Sequence, residues 1–258
     1  MKLRLKISLL LLAGIASIYT ACKKSNTQPS APTFTSRQVA GQVALSISQS
    51  LFGGLGAFNA SGGLSAPTTL TVHPQGKVLN SLTNPLCGLT IDTTLSYSAA
   101  VGDSTVSVSG RIQFSFICTN DVLSGFSTND NLNFSLSTPQ SSYTYKIIES
   151  VTMLSLNPSN SHSNLSFKGS INVTDTYLYK TGSKGSGNQA FNYTQMSLII
   201  DPVKSDVISG SASFATQSTG PKGVWNYTGT ITFLGNHLAT VTINGTTYKV
   251  NLQTGVVS

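Results

Sequence analysis

Acidic side chains are scarce in this chain. Glu149 is the sole glutamate, and Asp and Glu together number 8 of 258 residues. Histidine occurs only at His73, His162 and His237, and cysteine only at Cys22, Cys87 and Cys118. Charged residues make up 9% of the whole. Each shortage removes a class of chemistry. Three histidines far apart give no HxH or HExxH spacing, so no metal site is expected. No CxxC pair exists to act as a dithiol redox centre. No GxSxG marks a nucleophile elbow. The aspartates fall mostly in turn-like contexts, where Asp shapes the local backbone. No acid, base and nucleophile set emerges. The expectation is a non-enzyme with no catalytic, cofactor-binding or metal-binding residues.

Two triplets qualify that statement. "TND" occurs at Thr119–Asp121 and again at Thr128–Asp130. A calcium loop is one interpretation, but Asx turns are the expectation for both.

A strong charge is missing too, despite a formal net of +7. Lys2, Arg4 and Lys6 lie in the first six residues, and Lys23 and Lys24 follow an apolar run. Of 15 basic residues, these 3 and then 2 are set aside, leaving 10 against 8 acidic. The remaining lysines are scattered singly. No basic stripe of the kind that tracks a phosphate backbone is present, so no nucleic-acid partner is expected.

The N-terminus supplies the first positive signal. A basic segment precedes "ISLLLLAGIASIY", an apolar run too short to span a bilayer comfortably. Thr20 and Ala21 then precede Cys22. This arrangement resembles the lipobox of bacterial lipoproteins, although Tyr19 stands where an aliphatic residue is commoner. The resemblance covers about 25 residues. It implies cleavage after residue 21, lipidation of Cys22 and a membrane partner held through that lipid. Lys23 after the cysteine resembles the default for outer-membrane sorting. Residues 22–33 then read as a polar tether.

From residue 34 onward one domain is expected. "FTSRQVAGQVALSISQSLFGG" predicts a helix over 35–52. Thr35 is its N-cap, Gln38 completes a capping box, and Phe34 and Val39 are placed as a staple. Val39, Val43 and Ile47, with Ala40, Ala44 and Leu51, form its apolar stripe. The polar face is Ser and Gln with one Arg, unlike the cationic face of a membrane-surface helix. Gly53 and Gly54 end it.

After Gly63 the period becomes two, in ten alternating segments. The fold class expected is mainly β: an antiparallel meander forming a curved sheet, half-barrel or sandwich, with one N-terminal amphipathic helix. Its outline is similar to periplasmic half-barrels that carry lipids or lipoproteins, which is a likeness of architecture alone. Closure by a second sheet layer is the expected way to cover the apolar face. A transmembrane barrel is disfavoured, because a lipid anchor would then be redundant.

Turn chemistry fixes two registers. A two-residue Gly102-Asp103 loop pairs residues whose numbers sum to 205. Ile91 then faces Phe114, Tyr97 faces Val108, and Cys87 faces Cys118. Opposed Cα atoms lie about 4.5–5.5 Å apart, within disulfide reach, in a chain bound for an oxidising compartment. Asn244-Gly245 likewise pairs Val241 with Tyr248. A three-residue loop Gly235-Asn236-His237 keeps the preceding strand in step.

Other candidates are weaker. "DTT" and "DST" resemble a bacterial O-glycosylation triplet at Thr93 and Ser104. Trp225, Tyr227, Phe233, Tyr143, Tyr145, Phe191 and Tyr193 could form a sugar platform or a greasy cavity. They share the alternation of Ile and Val, so core packing is expected. The function expected is a lipid-anchored envelope protein with a binding or structural role. The alternative is a carrier of a hydrophobic ligand, and the partners considered are such a ligand, an envelope protein or a glycan.

Overall fold

The computed structural model describes residues 33–53, 60–62, 64, 84, 86–160, 162–181, 185–220 and 223–258. One helix, α1 (Ser36–Phe52), precedes ten strands. They are β1 (Thr90–Val101), β2 (Ser104–Thr119), β3 (Val122–Ser137), β4 (Ser141–Ser155) and β5 (Leu165–Tyr179), followed by β6 (Ser186–Asp201), β7 (Asp206–Thr219), β8 (Trp225–Gly235), β9 (Leu238–Ile243) and β10 (Thr246–Asn251). All ten form one open antiparallel sheet in sequence order. The mainly-β expectation holds. The second sheet layer does not: the apolar face belongs to a single continuous sheet, covered in part by α1.

The hairpins form where the turn residues place them. β1 and β2 pair with every sum equal to 205, including Ile91 with Phe114 and Tyr97 with Val108. Gly102 sits at φ +58, which a side chain would resist. β9 and β10 pair Val241 with Tyr248 and Ala239 with Val250 around Asn244-Gly245. Between β8 and β9, Phe233 meets Ala239 and Ile231 meets Val241, as expected. The connection itself is shorter than the expected three residues. Gly235 pairs with Leu238, leaving Asn236-His237 as a two-residue turn with φ of 55 and 56. A bulge between Phe233 and Gly235 absorbs the extra residue and preserves which face is apolar.

The two TND triplets part company. Asn120 and Asp121, at φ 52 and 61, form the β2–β3 turn. Thr128 and Asp130 instead lie inside β3, 3% and 1% exposed. The Asx turn expected there is therefore absent. Asp130 pairs with Ile112 on one side and Glu149 on the other, and sheet pairing overrides the local preference of Asn and Asp for turns.

α1 starts at Thr35, whose hydroxyl accepts from the Gln38 N–H at 3.4 Å while Gln38 Oε1 accepts from the Thr35 N–H at 2.9 Å. The capping box is thus formed. Val39, Ala40, Val43, Ala44, Ile47 and Leu51 are all fully buried. Its four larger aliphatic side chains contribute roughly 6–12 kcal/mol of transfer free energy, an upper figure because unfolded chains already hide some surface. The helix packs on β9, β10 and β6. Tyr193 of β6 donates to the Val43 carbonyl at 2.9 Å. A Cβ on Gly41 would lie 2.5 Å from the Gly255 carbonyl oxygen, so the C-terminal segment rests directly on the helix. That segment also bridges β10 through Val250 and Val257, and Arg37 donates to the Val257 carbonyl at 2.6 Å.

Candidate functional site

Among the described residues the helix side of the sheet carries three carboxyl groups between aliphatic and aromatic side chains: Asp130, Glu149 and Asp175, the last half-buried opposite Tyr145. One cross-strand row runs Ile112, Asp130, Glu149, Ile171, Tyr193 from β2 to β6. Asp130 and Glu149 are direct partners, 1% and 0% exposed. Tyr145, two inward positions along β4 from Glu149, faces Phe134 with ring centroids 6.2 Å apart. Burial, and then the charge of Glu149, hold its phenol above the ordinary range. Burial raises the Tyr193 phenol likewise.

Thr128 shows how Asp130 is accommodated. Its hydroxyl lies 2.6 Å from Asp130 Oδ2 and 3.0 Å from the Gln113 carbonyl oxygen. A single hydroxyl proton serves one acceptor well. With a proton on Asp130, the carboxyl donates to Thr128 and Thr128 donates on to Gln113, and both contacts are satisfied. Burial pushes the Asp130 carboxyl up to about 6, against the lowering effect of the Thr128 and Gln113 bonds. The pair is sealed from solvent and offers no approach for a substrate. Its place is in the core.

A testable consequence concerns pH. A carboxyl whose folded pKa is raised keeps its proton longer in the native state. Its full contribution to stability is present below about pH 4 and is lost as pH rises through 6. Asn in its place resembles the protonated acid. Asp130→Asn should therefore gain stability over the wild type by about 1–3 kcal/mol between pH 4 and pH 7.5 in urea unfolding. A difference that does not change with pH contradicts the raised pKa.

The other residues singled out in the sequence are dispersed. Cys87 and Cys118 form a disulfide with Cα atoms 5.4 Å apart, as the hairpin register requires. Thr93 lies in β1 on the side of Ile91 and Leu95, half-buried opposite Ile112. Ser104 begins β2 opposite Val101. His162 is in the β4–β5 connection. His237 is in the β8–β9 turn, its Nδ1 3.5 Å from Asp206 Oδ1. Among the described residues no group of three or more His, Cys, Asp and Glu side chains could hold a metal ion. Cys22, His73, the leader and all of the tether but Thr33 lie outside the described residues.

The aromatic set divides. Trp225, Phe233, Phe191 and Tyr193 are buried, and Tyr145 and Tyr227 pack partly buried against the core. Trp225 donates to Thr216 Oγ1 at 3.0 Å and stacks on Phe34 with centroids 5.2 Å apart. An open groove of about 450 Å³ lies beside them, lined by Val224, Asn226 and Tyr227 among others. Trp225, at 4% exposed, is spent on packing and gives no free face for stacking a sugar.

Sequence reasoning missed Asp130 and Glu149. The signal was present in the alternation. Each occupies an inward position of its strand, Asp130 between Thr128 and Leu132 and Glu149 between Ile147 and Val151. No protein-family model matches the chain, and no curated protein and no solved structure matches it.

Proposed function

We propose that this is an exported protein, anchored in the outer membrane by lipid on Cys22, with a non-catalytic binding or structural role at the cell envelope. The observation that carries the role is how the helix side is filled. α1 lays six fully buried side chains into one continuous core with the sheet, and Tyr193 ties the helix to its middle. Buried acids sit where a catalytic site would need access. The recognition surface of such a protein is its outside.

A carrier of a hydrophobic ligand is the second reading, and one observation favours it. On β1, Tyr97 and Val101 share the helix-side face yet are 62% and 61% exposed. They form an apolar fringe beyond the reach of α1. Titration with an environment-sensitive hydrophobic dye separates the two. The filled-core reading expects no saturable binding by the native protein. Saturable binding, competed by a fatty acid and lost in Tyr97→Ser, supports the carrier instead.

A further inference from the structure

The far face of the sheet, away from α1, holds a row that only the strand register brings together. Thr90, Ser115, Ser127, Thr152 and Lys168 are successive cross-strand neighbours from β1 to β5. The row continues with a serine or threonine on each of the next four strands and ends at Lys249. Longer side chains flank it on both sides. Gln113 and Asn129 are neighbours in the row on one side, and Ile117 and Leu154 lie in the row on the other. Short side chains between longer ones leave a trough, and an open groove of about 540 Å³ lies there across β1–β5.

The chemistry of the trough is specific in kind. Its floor is hydroxyl, and each hydroxyl both donates and accepts. Gln113 and Asn129 add amides on one wall. Leu154, 38% exposed, adds an apolar edge on the side opposite. A sugar ring presents the same mixture: hydroxyls around its rim and C–H groups on its faces. The strands repeat about every 4.8 Å, close to the length of one pyranose unit. A glycan laid across them would therefore meet a new hydroxyl with each sugar.

Charge narrows the ligand. Lys168 is exposed on the trough floor and has no ion-pair partner among the described residues. The acid at the β1 end of the trough, Asp92, four strands from Lys168, is held by Arg111 and Gln113, which keeps its carboxyl well below the usual range, at about 2. We infer that this groove binds an acidic polysaccharide, running across β1–β5 with a carboxylate against Lys168. The inference rests on the sheet being a binding module and not on the lipid anchor.

The test is calorimetric titration of the detergent-solubilised full-length protein with hexagalacturonate, and with neutral maltohexaose as comparison. Hexagalacturonate should bind once per chain. Lys168→Ala should weaken it tenfold or more, since charge-assisted contacts are the strong ones. Ser127→Tyr, which fills the trough, should abolish it, while Lys249→Ala should leave it unchanged. Absence of saturable binding overturns the inference, as does binding that neither Lys168→Ala nor Ser127→Tyr alters. Maltohexaose binding as tightly as hexagalacturonate overturns the acidic ligand. Lys168 is solvent-facing, so its variant remains informative if Ser127→Tyr fails to fold. Dye exclusion and membrane fractionation are read separately, so an empty groove leaves the proposed function standing.

Discussion

Replacing Cys22 by Ser should move the protein from the membrane pellet to the soluble fraction and abolish fatty-acid labelling, if the proposed anchor holds it. The reasoning starts with the transfer free energy of acyl chains, about 0.8 kcal/mol per buried CH₂. One chain holds a protein only marginally, whereas several make the attachment stable. No described helix offers comparable affinity, none being long and apolar enough to cross a membrane. The polar face of α1 is Ser and Gln with one Arg, and its apolar face is buried against the sheet. The effect of losing the thiol should thus be nearly complete rather than partial. Unchanged labelling of Cys22→Ser would remove the anchor from the account.

Reducing the Cys87–Cys118 bridge should cost about 3–4 kcal/mol of stability and lower the Tm by about 10 °C. The bridge closes a sequence separation of 31 residues. Loop closure in the unfolded chain supplies most of that figure on the chain-entropy model. The location adds a structural consequence. β1 is an edge strand, paired only to β2, and its residues are exposed or half-buried throughout. With so little burial to hold it, β1 depends on the hairpin and the bridge. Hydrogen exchange should therefore show β1 amides losing protection on reduction while β5 to β7 keep theirs. Free thiols in the native protein, or an unfolding midpoint indifferent to reductant, would contradict this.

Hairpin registers were legible because two independent signals agreed in each case. Gly102-Asp103 and Asn244-Gly245 specify tight turns, and alternation on both sides confirms the parity. α1 was legible because its cap and stripe are local features. The β8–β9 loop was misjudged by one residue, since a bulge and a longer loop preserve the same faces. The first half of β3 carries turn chemistry at Thr128–Asp130, and only burial between Ile112 and Glu149 makes it a strand. In the second half of β4 the alternation is broken in sequence by Ile148, which sits 38% exposed between buried Ile147 and Glu149. The far-side groove was not legible at all. Its floor draws on five strands up to 78 residues apart, from Thr90 to Lys168, and no sequence pattern announces which serines become neighbours.

The native mass spectrum of the protein, purified from the envelope in mild detergent and stripped of it in the gas phase, tests the filled helix side most directly. The expected mass is that of the mature, lipidated chain with its disulfide intact and no further lipid. A second population heavier by one phospholipid or fatty acid, at constant stoichiometry and lost on unfolding, would show that the sheet and α1 enclose a ligand and would contradict the filled core.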